Sequence, residues 1–186
     1  LETLPASEYR SGLGEMAKYA FLDPAVLDPA SLAALAVEEQ VARCVALKAA
    51  VVSADERDTG RRALLNYGHT LAHALEAAGW ADGTQGPMRH GEAVAVGLVF
   101  AALLASRLGR IGEGRVAEHR SLVEGYGLPS RLPSGADPGR LVDLMGRDKK
   151  ASAGLTFVLD GPQGLEVVAR IDPQDVLAAL GELGGA

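Results

Sequence analysis

The sequence predicts a mainly α-helical, multi-helix domain that carries one small β-hairpin. Hydrophobic residues make up 48% of the chain and aromatic residues only 4%, so the core must be built mainly from Ala, Leu and Val. Such a composition favours packed helices over a sandwich or a barrel. Apolar residues recur at helical spacing along most of the chain, and they alternate with polar ones around a Gly-Pro-Gln-Gly turn. We predict a single domain over residues 1–186.

Proline and glycine residues mark where the predicted helices begin and end. Pro5 and Pro24 flank the first helix, Gly60 closes a charged turn before the third, and Gly79 stops that third helix. An Asp-Pro pair gives the last helix an N-cap. We therefore expect helices over residues 6–22, 31–53, 61–78, 91–108, 113–126, 139–148 and 172–183, with the hairpin over residues 154–171.

Charge, hydropathy and cysteine content exclude several classes of function. The net charge is -6 and no basic block stands out, so no nucleic-acid partner is expected. The longest apolar run, residues 93–105, is too short to cross a bilayer and predicts a buried core helix, so no membrane partner is expected either. No signal peptide is found, and Cys44, with no second cysteine to pair with, is expected to be packed in the core. These features indicate a cytoplasmic protein.

The beginning of the chain, "LETLP", has no initiator Met and reads as the middle of a protein. We expect the chain to be a domain or fragment of something longer, with a natural short protein as the alternative.

Five polar residues form a stripe along the predicted third helix: Arg62, Asn66, His69, His73 and Glu76. At about 100° per residue they fall within an arc of roughly 80°. One interpretation is a solvated stripe on an ordinary amphipathic helix. Surface stripes usually carry Lys and Glu, however, and Arg, Asn and His cost more to bury unpaired. We therefore favour a stripe that faces a polar cavity, where imidazoles can bind metal or transfer protons.

Histidines are concentrated near this stripe. His69 and His73 have the i, i+4 spacing of a two-imidazole metal face, which is a weak signal by itself. Thr70 stands where a metalloprotease helix would carry Glu, so protease chemistry is not expected. His90 opens a helix after a Gly-rich loop and could fold back onto the stripe. We expect His119 to be an exposed helix residue.

Several segments, in this order, resemble the C-terminal half of 3-dehydroquinate synthase, a family of the shikimate pathway. They are "LPASEYRSGLGEMAKYAFL", "KAAVVSADERDTGRRALLNYGHTLAHALE", "HGEAVAVGL", "GLP" and "DKK", and they cover residues 1–150. The resemblance implies a dehydroquinate synthase-like fold. The N-terminal α/β domain that binds NAD in this family has no counterpart in the chain, and no G-x-G-x-x-G loop is found.

The resemblance also implies a catalytic zinc (or cobalt) site. Its ligands would be Glu15, His69 and His90, two imidazoles and a carboxylate that leave positions open for substrate. His73 would then not be a ligand, because the matching histidine of the family lies beside the substrate and is linked to proton transfer.

The remaining site residues are carried over in the same way. Lys18 and Asn66 would take part in catalysis. The residues expected to bind the substrate are Lys48, Arg62, Lys149 and Lys150.

The family reaction converts 3-deoxy-D-arabino-heptulosonate 7-phosphate to 3-dehydroquinate and phosphate. NAD would be bound through the N-terminal domain, so its binding residues in this chain are unknown, and we expect the chain alone neither to bind NAD nor to turn over substrate. The resemblance further implies a homodimer. Two rivals stay open: a different sugar-phosphate cyclase that makes a cyclitol, and a non-catalytic metal-binding or dimerisation module.

Overall fold

Helices surround one apolar helix in the structure, a computed structural model that describes residues 1–23, 34–55, 60–79, 88–147 and 154–185. The helices are α1 (Ala6–Leu22), α2 (Val37–Ala54), a short 3-10 helix (Arg61–Asn66), α3 (His69–Ala78), α4 (His90–Arg107), α5 (Glu113–Gly125), α6 (Pro138–Arg147) and α7 (Pro173–Gly185). Strands β1 (Leu155–Leu159) and β2 (Glu166–Ile171) lie between α6 and α7 in the chain. The predicted fold class is confirmed.

Helix α4 occupies the centre of the core. It packs against α1, α3, α5, α7 and β1. Nearly all side chains of residues 93–105 are buried, which confirms the predicted core helix. Among the described helices, α4 alone has the length and apolar character to cross a bilayer, and most of it is buried inside the protein. Cys44 on α2 is buried against this core as predicted.

The C-terminal segment agrees closely with its sequence pattern. Strands β1 and β2 pair antiparallel, with Phe157 opposite Val168 and an irregularity between Leu155 and Phe157. Asp172 caps α7, since its Oδ1 accepts the backbone N–H of Gln174 at 2.9 Å. The predicted hairpin and N-capped last helix are confirmed.

The helix predicted over residues 31–53 is wrong at its start. Leu35 and Ala36 are not helical, and α2 begins only at Val37. Residues 31–33 lie outside the described residues. The buried Gln40 amide donates to the Leu35 carbonyl at 2.8 Å, and its oxygen accepts the O–H of Tyr126 at 2.6 Å. Tyr126 lies far from Gln40 in the sequence. The Ala- and Leu-rich residues before α2 therefore do not indicate where the helix begins.

The helix predicted over residues 61–78 is broken in the middle. Tyr67 is extended (φ -56°, ψ 127°) and Gly68 has φ +79°, which separates the 3-10 helix from α3. Gly68 lies directly against α4, where an added Cβ would come within 3.1 Å of the Val94 carbonyl oxygen and the Leu98 nitrogen. The approach of the two backbones, which helical periodicity does not report, therefore sets the break.

Candidate metal and substrate site

Three potential metal ligands converge at one end of the core. Single ligand atoms of Glu15, His69 and His90 all lie within 4.8 Å of one another. Glu15 Oε1 is 3.3 Å from Nε2 of His69 and 3.1 Å from Nε2 of His90. The three residues come from α1, α3 and α4, so the cluster forms only when these helices pack.

A glycine contact between α1 and α4 brings Glu15 to His90. Gly14 precedes Glu15, Gly91 follows His90, and an added Cβ on Gly14 would collide with the Gly91 backbone. The helices are further tied by the Gly91 N–H, which donates to Ser11 Oγ at 3.0 Å. Because the backbones meet at these glycines, the adjoining carboxylate and imidazole lie within contact distance of each other.

A second glycine contact places His69. Gly68 precedes it, and an added Cβ on Gly97 of α4 would collide with the Gly68 carbonyl. The break before α3 therefore serves the site, because it presses the first residue of α3 against the same helix that carries His90.

Hydrogen bonds to Nδ1 determine which nitrogen each imidazole offers. The Tyr67 carbonyl can only accept, so His69 donates its Nδ1–H to it at 3.0 Å. Nδ1 of His90 is 2.9 Å from Oε1 of Glu76, which is likewise an acceptor when ionised. Both rings are thus left with Nε2 as the nitrogen that faces Glu15, in the arrangement that metal-bound histidines require.

The prediction that His119 is exposed is wrong, because this histidine is fully buried behind the site. Its Nδ1–H donates to the Arg115 carbonyl at 2.8 Å, and its Nε2 accepts the O–H of the buried Tyr67 at 2.8 Å. The ring stacks on Phe21 with centroids 3.6 Å apart. Burial lowers the pKa of His119 to about 4, which keeps the ring neutral near pH 7. Because the neighbouring residues on α5 are mostly hydrophilic, the sequence does not indicate that His119 is buried.

Charges around the carboxylate favour its ionised form. Burial alone would raise the pKa of Glu15. The contact with Nε2 of His69, which is a hydrogen bond only while that nitrogen carries a proton, and the positive charge of Lys18 outweigh burial and hold the pKa well below its usual range. Lys18 Nζ lies 2.8 Å from Glu15 Oε2 and is itself buried, which lowers the lysine pKa against the opposing effect of Glu15. The cluster therefore presents a carboxylate anion at neutral pH.

A polar cavity of about 410 Å³ opens beside the three ligands. The structure brings the predicted Lys18, Lys48, Arg62 and Asn66 together in its wall, although Arg62 and Asn66 lie on the 3-10 helix and not on a continuous α-helix. Among the described residues, the lining is Glu15, Lys18, Tyr19, Lys48, Arg62, Leu65, Asn66, His69 and His90. Three cations beside the Glu15 carboxylate and the two imidazoles form a surface suited to an acidic substrate.

His73 lies outside the three-atom cluster. It is exposed, and its ring centroid is 5.6 Å from that of His69 and 6.4 Å from that of His90. The spacing argument for a His69–His73 pair is thus not supported, since His90 and not His73 shares the ligand group with His69. Lys149 and Lys150 lie outside the described residues.

Residues 12–151 match the family described as 3-dehydroquinate synthase C-terminal. The chain belongs to this family. Its predicted resemblance is confirmed, and the ligand cluster, the cation wall and α4 all fall within the matched residues.

Relatives of this 3-dehydroquinate synthase C-terminal domain carry two related names. A protein of Amycolatopsis mediterranei (strain S699), provisionally named aminodehydroquinate synthase, is 52% identical over 92% of the chain and 46% of its own length. The 3-dehydroquinate synthase of Streptomyces coelicolor (strain ATCC BAA-471 / A3(2) / M145) is 40% identical over 99% of the chain and 52% of its own length. The chain thus spans about half the length of the curated relatives it matches.

A solved structure shares the fold of this domain. It is ValA, the 2-epi-5-epi-valiolone synthase from Streptomyces hygroscopicus subsp. jinggangensis 5008, with NAD+ and Zn2+ bound. The TM-score is 0.77, with 21% identity, over 97% of this chain and 52% of that protein. At this identity the likeness shows the fold of the 3-dehydroquinate synthase C-terminal domain and no more.

The sequence did not indicate that Tyr67 binds Nδ1 of His69 or that His119 holds Tyr67 in place. It also indicated no function for Glu76. One signal was available in the chain: each proposed ligand stands next to a glycine, in Gly14–Glu15, Gly68–His69 and His90–Gly91. Glycine beside a functional side chain indicates a close backbone approach. No comparable signal indicated the partner of either Nδ1 atom.

Proposed function

We propose that this chain is the metal- and substrate-binding domain of a 3-dehydroquinate synthase, which converts 3-deoxy-D-arabino-heptulosonate 7-phosphate to 3-dehydroquinate and phosphate. The observation that carries the proposal is the convergence of Glu15, His69 and His90 beside a cavity lined by cations. The family match and the 3-dehydroquinate synthase names of several relatives support the same reaction.

The donor set fits a catalytic zinc ion. Two imidazole nitrogens and one carboxylate oxygen are a common set for such sites, and their mutual distances of at most 4.8 Å suit binding to one ion. Glu15, His69 and His90 would hold it, and cobalt would be accepted by the same ligands. When bound, the ion would polarise an oxygen of the substrate.

The chain's own residues would bind the charged ends of the substrate. Lys18, Lys48 and Arg62 face the cavity and can donate hydrogen bonds to carboxylate and phosphate oxygens. Asn66 can hold a substrate hydroxyl in the same wall. His73, at the edge of the ligand group, would give or take a proton near neutral pH. Lys149 and Lys150 are proposed from their motif alone to contact the phosphate.

Binding of NAD would belong to another part of a longer, cytoplasmic protein, which we also propose to be a homodimer. The chain's curated relatives are about twice its length, which supports this division. We expect no NAD binding at micromolar affinity by the 186-residue chain, measured by fluorescence titration, and no turnover.

A fusion would test the activity. The chain, joined to the remaining N-terminal part of the Streptomyces coelicolor relative, should release phosphate from 3-deoxy-D-arabino-heptulosonate 7-phosphate in the presence of NAD and zinc. The natural Streptomyces protein serves as the positive control. A folded fusion that binds NAD and zinc but releases no phosphate would contradict the proposed reaction and favour a different cyclase or a non-catalytic module.

A second candidate substrate follows from the 52% identity with the provisionally named aminodehydroquinate synthase. That name describes a dehydroquinate that bears an amino group, and the substrate of this chain would then be an amino analogue of the heptulosonate phosphate. Rates of phosphate release from the two substrates by the same fusion would separate these functions, because each predicts the higher kcat/KM for its own substrate.

A further inference from the structure

Glu76 contacts a proposed metal ligand from outside the cavity. It lies on α3 near the end opposite His69, and its Oε1 is 2.9 Å from Nδ1 of His90. Nε2 of the same ring is 3.1 Å from Oε1 of Glu15. We propose that Glu76 is a positioning residue for His90, which holds the ring so that Nε2 points to the metal position. The inference depends on the metal site proposed above.

The chemistry of the pair supports this role. A neutral imidazole carries one proton, and either nitrogen can bear it. A carboxylate at Nδ1 stabilises the proton there, which leaves the lone pair of Nε2 for a metal ion. The negative charge of Glu76 also makes the ring a stronger donor to a cation, as carboxylates behind metal-bound histidines do.

His90 needs such a partner because the core holds it weakly. Its side chain is 42% exposed, against 13% for His69, and it is the first residue of α4. His69 uses the backbone carbonyl of Tyr67 for the same purpose. At Nδ1 of His90 the acceptor is instead a side chain, the carboxylate of Glu76.

Helix α3 thereby controls both imidazoles. It provides His69 as a ligand and Glu76 as the partner of the other ligand, seven residues later on the same side of the helix. The alternative is an ordinary surface ion pair. Such a pair would contribute little to stability, since both side chains are more than one third exposed. The two interpretations differ in what happens to the metal.

Zinc affinity of the 186-residue chain separates them. We would compare the unsubstituted chain with Glu76→Ala, Glu76→Gln and Glu15→Ala by chelator competition. Glu182→Gln is the matched control, since it removes one carboxylate charge from α7, where Glu182 pairs with Arg107 at 3.3 Å.

Glu76→Ala should bind zinc about 10–100-fold more weakly than the unsubstituted chain. Glu76→Gln, which retains an acceptor oxygen without the charge, should lie between Glu76→Ala and the unsubstituted chain, and Glu182→Gln should match the latter.

Side-chain 15N NMR of the zinc-loaded chain adds a signature that a merely structural residue would not affect. The Nδ1–H signal of His90 should be visible in the unsubstituted chain and broadened by exchange with water in Glu76→Ala. The Nδ1–H signal of His69, whose acceptor is a backbone carbonyl, should persist in both and is the internal control.

The outcomes are distinguishable. If Glu15→Ala abolishes zinc binding while Glu76→Ala binds as tightly as the unsubstituted chain, Glu76 is not a positioning residue and the metal site stands. If the unsubstituted chain itself binds no zinc, the proposed metal site fails and the role of Glu76 fails with it. Equal losses in Glu76→Ala and Glu182→Gln would also overturn the inference, because they would reflect only net charge.

Discussion

His69 and His90 offer the same nitrogen to the same point, yet the protein holds the two rings by different means. His69 begins a helix that is pressed against α4 through Gly68, and its Nδ1 is bound to the backbone of a buried tyrosine. His90 begins α4 itself, is more exposed, and is bound to the side chain of Glu76. One ligand thus belongs to the core and the other to its edge.

The two arrangements differ in how firmly the fold holds each proposed ligand. On the core side, the fully buried Tyr67–His119 contact holds the residue whose carbonyl binds His69. The edge side depends on a single side chain and on the close contact of α1 with α4. Substitutions on the core side should therefore reduce stability first, and those on the edge side should reduce metal affinity first.

The largest effect is expected from removal of a ligand. Glu15→Ala and His90→Ala should lose zinc after dialysis, because each leaves two of three protein ligands. His73→Ala should retain near-normal zinc, since its ring lies outside the ligand group, and should lower activity in an active fusion. Metal content of the three variants decides. If zinc is lost in His73→Ala but kept in His90→Ala, the metal ligands would be His69 and His73 instead.

The α1–α4 contact that joins the two sides can be broken at Gly14. Gly14→Ala should lower the free energy of unfolding by about 1–3 kcal/mol, because the new Cβ would collide with the Gly91 backbone and push the helices apart. Zinc affinity should fall as well, since Glu15 and His90 would separate. Urea unfolding and chelator competition are the measurements.

Gly12, two residues earlier on α1, is the matched control for Gly14. An added Cβ there meets nothing within 4 Å, so Gly12→Ala should stabilise the chain by about 0.5–1 kcal/mol through helix propensity and leave zinc affinity unchanged. Similar zinc losses in the two variants would show that the contact with Gly91 is not what places Glu15.

The core side can be tested at Tyr67. Tyr67→Phe leaves Nε2 of buried His119 without its hydrogen bond, which should cost about 1–3 kcal/mol of stability. Tyr126→Phe is the comparison variant, because it removes a tyrosine O–H that donates to Gln40 away from the ligands. Both should lose stability, measured by urea unfolding, but only Tyr67→Phe should change the absorption spectrum of the cobalt-loaded chain. Identical spectra would mean that Tyr67 supports the fold and not the site.

The last expected effect is a pH dependence of stability from His119, which is spread over a wide pH range. Burial lowers its pKa from an ordinary value near 6.5 to about 4, so the unfolded chain binds more protons between these two values. The stability contribution is therefore complete above pH 6.5 and is lost as the pH falls towards 4. Tyr67, Arg115, Glu118 and Asp160 are the charged or titratable groups around the ring.

Urea unfolding of the metal-free chain at several pH values measures this slope. His119→Gln removes the titration, so the unsubstituted chain should lose stability with falling pH more steeply than the variant, by at most about 1.4 kcal/mol per pH unit. Parallel pH profiles of the two chains would contradict the prediction.

Much of this protein can be derived from the sequence by itself. Helical spacing and Pro, Gly and Asp signals located most helices to within a few residues, and alternation located the hairpin, because these patterns depend on neighbours in the chain. The motif resemblance nominated Glu15, His69 and His90, which the fold brings together. The polar stripe was predicted to face a cavity along its whole length, and this holds in part. Arg62, Asn66 and His69 line the cavity, whereas His73 and Glu76 are not among its described lining residues.

Only the tertiary structure decided how these residues are held. The break at Gly68, the burial of His119 and the partners of both Nδ1 atoms depend on residues that come together across many positions of the chain, such as Tyr67 with His119. Helical periodicity reports which face of a helix is apolar, but it does not report which backbone meets that face or how closely. Here α4 meets α1 and α3 at glycines, and that close approach sets the ligand geometry.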